Sequence, residues 1–329
     1  MGILDKMKRK LMVSIGLGAV VFLVLSAYAD FNDLVRAFRT FDAIYVLPTL
    51  VLSLGNYGLR FVRWQFYLNK LSIPLKVGES LMVFLAGFIL SITPGKAGEL
   101  IKSYFIKERL GLPVSQSAPA VFCERLTDLI ALIFLGLIGV STFHDGLTTL
   151  LGGGVFLLLL VILLGSPKVM AWVFQWLEML PKAGRFVQAL KLTFGGIQTL
   201  IAPIALFWGV GIGIVAWFAE CLGFYFILKG FGADLSAIST AFIYSFSTLF
   251  GAVTMLPGGL GTTEASMIGL LNLQGISRTD AVGATIIIRL CTLWFAVAIG
   301  AFVLLRYRRY FDWEMEPAPL QGVLERDPS

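Results

Sequence analysis

Leu256-Pro257-Gly258-Gly259-Leu260-Gly261-Thr262-Thr263-Glu264 closes an apolar run at 236–256, and Thr93-Pro94-Gly95-Lys96-Ala97-Gly98-Glu99 closes another at 79–93. Proline removes a backbone donor and glycine tolerates left-handed dihedrals, so each stretch stops a helix and turns the chain. What the two breaks mean depends on their surroundings. Of the 329 residues 57% are hydrophobic and 14% charged, with a mean hydropathy of +0.86, which leaves too little polar surface to cover a soluble globule. Apolar stretches of about 20 residues, the length that a hydrocarbon core of roughly 30 Å demands, recur near 11–28, 43–68, 117–141, 147–165, 204–228 and 280–305. Irregular backbone at membrane depth is tolerated only where protein or a watery cavity satisfies it, so the breaks themselves point to a site. The expected fold is an all-α polytopic membrane protein with about six full spans and two re-entrant, Pro/Gly-broken helical hairpins. An ordinary surface loop between full spans is the alternative at each break, and it moves the basic segment 102–109 to the outer side.

The charges favour the re-entrant solution. With the N-terminus in the cytoplasm, 19 of the 26 Lys and Arg residues fall inside, among them Lys6, Lys8, Arg9, Lys10, Arg60, Arg63, Lys102, Lys107, Arg109, Lys168, Lys182, Arg185 and Lys191. Outside fall Arg36, Arg39, Lys229 and Arg278, while Lys96, Arg125 and Arg289 lie within or beside the membrane. A multi-pass protein of the cytoplasmic membrane with both termini cytoplasmic is expected. The start of the chain also imitates a signal peptide, with Ala27-Tyr28-Ala29 before Asp30; its apolar stretch is long enough to span, and a retained first helix is expected.

The two breaks lie 163 residues apart, counted from Pro94 to Pro257, and the residues downstream of them match in order. A glycine follows the short segment after each break, at Gly111 and Gly275, and an arginine lies 14 residues further in each case, at Arg125 and Arg289. Upstream, 43–68 and 204–228 correspond, and by the charge distribution they cross in opposite directions. The chain therefore reads as one transmembrane domain over 1–329, made of inverted repeats at about 43–141 and 204–305. A connector at 166–193, with Trp172 and Trp176 among its basic residues, reads as an interfacial helix or a plain amphipathic linker. Inverted repeats with discontinuous helices are a recurring construction of secondary transporters.

Other classes are disfavoured. Cys123, Cys221 and Cys291 fall inside apolar stretches without a CxxC pair, and the single histidine, His144, sits in a short polar loop. Neither a disulfide framework, a zinc or other metal site, nor a hydrolytic triad is supported, so no enzyme and no cofactor is expected. A net charge of +6 in such a chain reflects cytoplasmic loops facing anionic lipid rather than nucleic acid.

The residues that carry chemistry cluster around the breaks. A short helix is expected after each, near 98–110 and 262–273, with its N-terminus inside the protein as a place for anions. Gly95, Gly98, Gly258, Gly259 and Gly261 shape these ends; Thr262 and Thr263 are candidate caps of the second; Glu99 and Glu264 suit a first-turn capping role, a coupling role, or both. Ionised groups at mid-membrane cost roughly 2.5–3.5 kcal/mol each, so Glu124, Arg125, Asp128, Glu220 and Arg289 need partners or water. Arg125 and Asp128 are spaced to pair on one helix, whereas Arg289 has no acid three or four residues away, which suits a planar five-donor grip on phosphate. Arg60, Arg63 and Trp64 read as an anchor at headgroup level.

Across RFVRWQFYL at 60–68, TPGKAGELIKSYF at 93–105, CERLTDL at 123–129 and LPGGLGTTEASM at 256–267, the chain resembles the flippase-like transmembrane family typified by the membrane portion of lysylphosphatidylglycerol synthases. The resemblance implies translocation of a lipid or lipid-linked head group between leaflets. It carries over Pro94, Gly98, Glu99, Glu124, Arg125, Asp128, Pro257, Gly258, Gly261 and Glu264 as family-type positions. The soluble domain that attaches an amino acid to phosphatidylglycerol has no counterpart in these 329 residues, so that reaction is not implied. An ion-coupled small-solute transporter and a non-transporting membrane partner of a lipid-modifying enzyme are the competing readings.

Overall fold

The computed structural model describes residues 3–93, 98–140, 146–179 and 184–307. Pro94, Gly95 and Lys96 of the first break, and His144, lie outside the described residues. Within them the chain is all-helical. Helix α1 (Ile3–Tyr28) turns by 93° into the amphipathic α2 (Phe31–Thr40), and Phe22 of α1 packs edge-on against Trp294 at 6.3 Å. The first half of the chain then runs α3 (Val46–Lys70), α4 (Val77–Gly87, continued by a 3₁₀ turn to Leu90), α5 (Ile101–Leu110) and α6 (Val114–Gly139). After α7 (Gly146–Gly165), α8 (Pro167–Glu178) and α9 (Gly184–Ile201), the second half lays down α10 (Pro203–Gly230), α11 (Ala237–Val253) and α12 (Thr262–Leu273). It finishes with α13 (Arg278–Arg289), which passes through a π-helical segment (Leu290–Trp294) into α14 (Phe295–Arg306).

The order of elements in the two halves corresponds down to individual turns. At the end of α3, Ile73 N–H reaches back to Leu68 O and Ser72 adopts φ +54°; at the end of α10, Ala233 N–H reaches back to Leu228 O and Gly232 adopts φ +73°. Both are left-handed helix stops of the kind that reverses a chain. Helices α5 and α12 likewise stop at left-handed glycines, Gly111 (φ +69°) and Gly275 (φ +80°). The halves interlock rather than sit side by side. Asn56 Nδ2 on α3 donates to Ala216 O on α10 (2.8 Å), and Thr49 Oγ1 donates to Gly223 O (3.1 Å). A Cβ on Gly139 of α6 would come within 2.6 Å of Ile238 O on α11, and one on Gly300 of α14 within 2.6 Å of Ile89 N beyond α4. Each long helix thus crosses the short helix of the other half through a glycine, with backbones in close approach.

Length and polarity sort the helices. Among the described residues, α10 and the α13–α14 run are long and apolar enough to cross a membrane unaided; the bent pairs α1–α2 (93°) and α7–α8 (72°) pass the test only as pairs. Helices α3 and α6 have 25 and 26 residues, about 38 Å each at 1.5 Å per residue, and are as long as spans. They carry charges, but Arg60, Arg63, Glu124 and Asp128 turn inward, and Lys70 at the end of α3 is exposed. The apolar helices at 77–90 and 237–253 reach only about 21 and 26 Å, less than a hydrocarbon core of roughly 30 Å. Helix α8 presents Trp172 and Trp176 on its exposed side, and Glu178 at its end is bridged by Lys191 of α9 at 2.6 Å.

Candidate functional site

The second break is held open by backbone geometry. Gly258, Gly259 and Gly261 have φ of +61°, +66° and +87°, and Gly261 serves as N-cap of α12. A glycine has no side chain with which to cap. Glu264 does that work, its Oε2 accepting from Gly261 N–H at 2.6 Å, which satisfies a donor at the helix start and sets a carboxylate on the positive end of the helix dipole. Thr262, expected as a cap, instead donates its hydroxyl to Gly259 O (3.2 Å) and lies 3.0 Å from the hydroxyl of Thr254. At the first break Thr93 Oγ1 accepts from Gly98 N–H at 2.7 Å, and Ser91 Oγ donates to Glu99 Oε1 at 3.4 Å.

Corresponding arginines then meet corresponding glutamates. Arg125 Nη2 lies 3.2 Å from Glu99 Oε2, and Arg289 Nε lies 2.6 Å from Glu264 Oε1. Arg289 also donates from Nη2 to Gly258 O at 2.6 Å, tying its helix to the break. Arg125 reaches Asp128 Oδ2 through Nη1 at 3.2 Å, the spacing along one helix that the sequence suggests.

The anchor reading of Arg60, Arg63 and Trp64 is corrected by burial. Arg63 and Trp64 have no exposed surface at all, and Arg60 retains 6%. Arg63 donates to Asp128 Oδ1 (2.6 Å) and to Thr127 Oγ1 (3.1 Å), Trp64 donates its indole N–H to Ser80 (3.2 Å), and Arg60 stacks over the Phe88 ring and stands 4.0 Å from Glu99. Lys102, counted from the sequence on the cytoplasmic side and within the short helix expected near 98–110, is also buried. Its ammonium binds Glu124 at 2.5 Å, lies 3.5 Å from Glu99 and sits 4.4 Å over the Trp64 ring. The first half therefore holds one continuous network, Lys102–Glu99–Arg125–Asp128–Arg63, running through α3, α5 and α6. Sequence reading missed Lys102 although it stands three residues after Glu99, at a spacing where an acid and a base share a helix face.

Between the halves lies a cavity of about 290 Å³. Arg60, Arg125 and Arg289 all line it, and so do Asp128 and Glu220. Glu220 accepts from Tyr244 Oη at 2.6 Å, and Tyr57, another wall residue, donates to Thr292 O at 2.6 Å. Gly258, Gly259 and Thr263 bring the second break and the start of α12 to the wall; Ser91 and Thr93 bring the edge of the first. Glu99, Glu124, Glu264, Arg63, Gly98, Gly261 and Thr262 are not wall residues; Glu99 and Glu264 hold Arg125 and Arg289 from behind, Arg63 holds Asp128, and Glu124 holds Lys102. Exposed apolar side chains complete the lining: Met255 is 65% and Leu256 42% exposed.

A helical bundle whose short broken helices hold a charged, internal cavity defines a polytopic membrane protein with a polar site. The chain belongs to the lysylphosphatidylglycerol synthase TM region family, which it matches over residues 11–300. Relatives along nearly the whole length are membrane proteins designated UPF0104. One from Methanothermobacter thermautotrophicus is 22% identical over 89% of this chain and 94% of its own, and one from Pyrococcus horikoshii is 23% identical over 92% and 98%. A glycosyltransferase, AglD of Haloferax volcanii, matches at 24% identity over 40% of this chain and 22% of its own length.

Proposed function

We propose that this protein moves a lipid with an anionic head group between membrane leaflets, and that it does so as an inverted repeat. The observation that carries the reading is the cavity itself, in which three guanidinium groups share a wall with exposed apolar side chains at Met255 and Leu256. An amphiphile matches both parts: a phosphate for the planar donors of Arg60, Arg125 and Arg289, and acyl chains for the apolar lip. In this reading α3, α6, α10 and α13–α14 span the membrane, joined by two further crossings for about six in all. The helices at 77–90 and 237–253 enter and turn back at the breaks, where protein and the cavity satisfy the interrupted backbone. Both termini lie on the cytoplasmic side of the cell membrane. Corresponding halves of opposite direction exchange roles as access alternates, and no bond of the lipid is made or broken. Glu99 and Glu264 position the two arginines, and Glu264 also caps α12.

The test is reconstitution of the full chain in vesicles containing fluorescent phosphatidylglycerol, followed by chemical quenching from outside. Transport makes the inner-leaflet pool quenchable; a folded, correctly inserted protein that leaves this pool protected defeats the reading. The glycosyltransferase among the relatives favours a second reading, a membrane partner that organises a lipid-modifying enzyme. Such a partner moves no lipid alone, so the same assay separates the two. A small-solute carrier also leaves the labelled lipid in place.

A further inference from the structure

Corresponding positions in the two halves steer their arginines differently. Three residues after Arg125 stands Asp128, whose Oδ2 takes the Arg125 guanidinium at 3.2 Å, on a helix that is continuous from Val114 to Gly139. Three residues after Arg289 stands Thr292, which has no charge to offer and turns its hydroxyl back to Ile288 O at 2.8 Å. Here the helix itself changes. Leu290–Trp294 is π-helical, with Phe295 N–H reaching Leu290 O five residues back, a rare turn that accommodates one extra residue in a helix. Tyr57 of α3 occupies this turn. Its hydroxyl donates to Thr292 O at 2.6 Å, and the Ala296 N–H bonds the same hydroxyl oxygen. In a regular α-helix these two backbone groups bond each other, so a tyrosine of the first half stands in the ladder of the second.

We propose that Tyr57 is a positioning residue for Arg289, acting through the π-helical turn; its use in head-group binding rests on the lipid reading above. Both ends of the turn are held. On the far side Gly300 packs so closely on the first half that a Cβ would meet Ile89 N at 2.6 Å, which fixes α14. On the near side Arg289 meets Glu264 Oε1 and Gly258 O, each at 2.6 Å, and so stands at the cavity wall. An α-helix turns by about 100° per residue, so closing the π-helical turn swings Arg289 by about that angle relative to Gly300. The Tyr57 hydroxyl decides which state holds. While it separates Thr292 O from Ala296 N–H the turn stays wide; without it the two groups close on each other and Arg289 leaves its partners. The Tyr57 ring is set independently, 5.1 Å from the Phe88 ring and 6.1 Å from that of Phe295, so a phenylalanine fills the same space and lacks only the hydroxyl. Tyr57, Arg289, Thr292 and Ala296 all line the cavity, which puts the turn beside the site that it shapes.

The experiment is calorimetric titration of the purified full chain and its variants with dioctanoyl phosphatidylglycerol. Y57F is expected to weaken binding about tenfold, and to change it less than about twofold when R289K is already present, because a residue that acts through Arg289 then has nothing left to act on. Deleting Leu290, an exposed residue of the turn, removes the extra residue, so Y57F with this deletion is expected to recover near-native binding. A side chain that only packs, or that touches the lipid itself, is not rescued by shortening a helix. Native affinity in Y57F, or an equal loss in the R289K background, overturns the proposal, and so does a folded deletion variant that binds as weakly as Y57F. Where the deletion variant does not fold, the double-mutant cycle decides alone. Absence of binding by the native chain overturns the lipid reading; the same cycle read as melting midpoints in detergent then tests the positioning, which additive losses from Y57F and R289K overturn.

Discussion

Arg289 spends its guanidinium on two fixed partners, Glu264 Oε1 and Gly258 O, each at 2.6 Å, and still lines the cavity. A lysine keeps the charge but offers a single point donor without the fork. Arg289→Lys is expected to lower lipid transport by about tenfold or more while the protein stays in the membrane at normal levels. Normal transport by both Arg289→Lys and Arg289→Gln sinks the clamp. Lys102 acts away from the cavity wall. Removing it as Lys102→Met leaves Glu124 buried without its cation, a loss of about 3–5 kcal/mol, and adding Glu124→Leu recovers most of it. Melting midpoints in detergent read both; a single variant as stable as the parent shows that the pair is dispensable.

Among the elements, the breaks were legible because proline and glycine act locally. The break after Val253 and the restart at Thr262 fall where Pro257 and its glycines predict, and both short helices end at the expected glycines, Gly111 and Gly275. Arg63 and Trp64 were misread for the opposite reason. Their partners, Asp128 and Ser80, come from other helices, and a Trp–Arg pair near the end of an apolar run looks the same from sequence whether it faces lipid headgroups or a buried acid. The length of the apolar stretches revealed that α3 and α6 exist; only packing revealed that their charges meet. At the second break the left-handed turn at Gly258 has Ile92 Cγ2 3.1 Å from where a Cβ would stand. Gly258→Ala is expected to cost about 1–2 kcal/mol from the dihedral alone, with transport reduced as Ile92 is displaced. An unchanged melting midpoint indicates that this turn is not maintained.

For the whole molecule, the proposed inversion makes a prediction independent of any cargo. The ends of α5 and α12 occupy corresponding positions, so the proposed inversion puts them on opposite faces of the membrane. Gln274→Cys, beside Gly275, is expected to react with an impermeant maleimide in intact cells, and Arg109→Cys, beside Gly111, only once the cells are permeabilised. The native cysteines are buried and leave a clean background. Labelling of both from one face removes the inversion, whatever the protein carries.

The pairing of Arg63 with Asp128 also bears on how the chain is made. The two residues are 65 positions apart, so at about 5–20 residues per second the ribosome adds Arg63 some 3–13 seconds before its counter-charge on α6 exists. If α3 spans the membrane as proposed, then during that interval a helix with two arginines must be delivered to lipid at a cost of roughly 2.5–3.5 kcal/mol each, or wait beside the insertion machinery. Waiting is the cheaper course. Chains truncated after α4 are therefore expected to leave α3 poorly integrated, and chains extended through α6 to integrate both together, which glycosylation mapping of staged translation products measures.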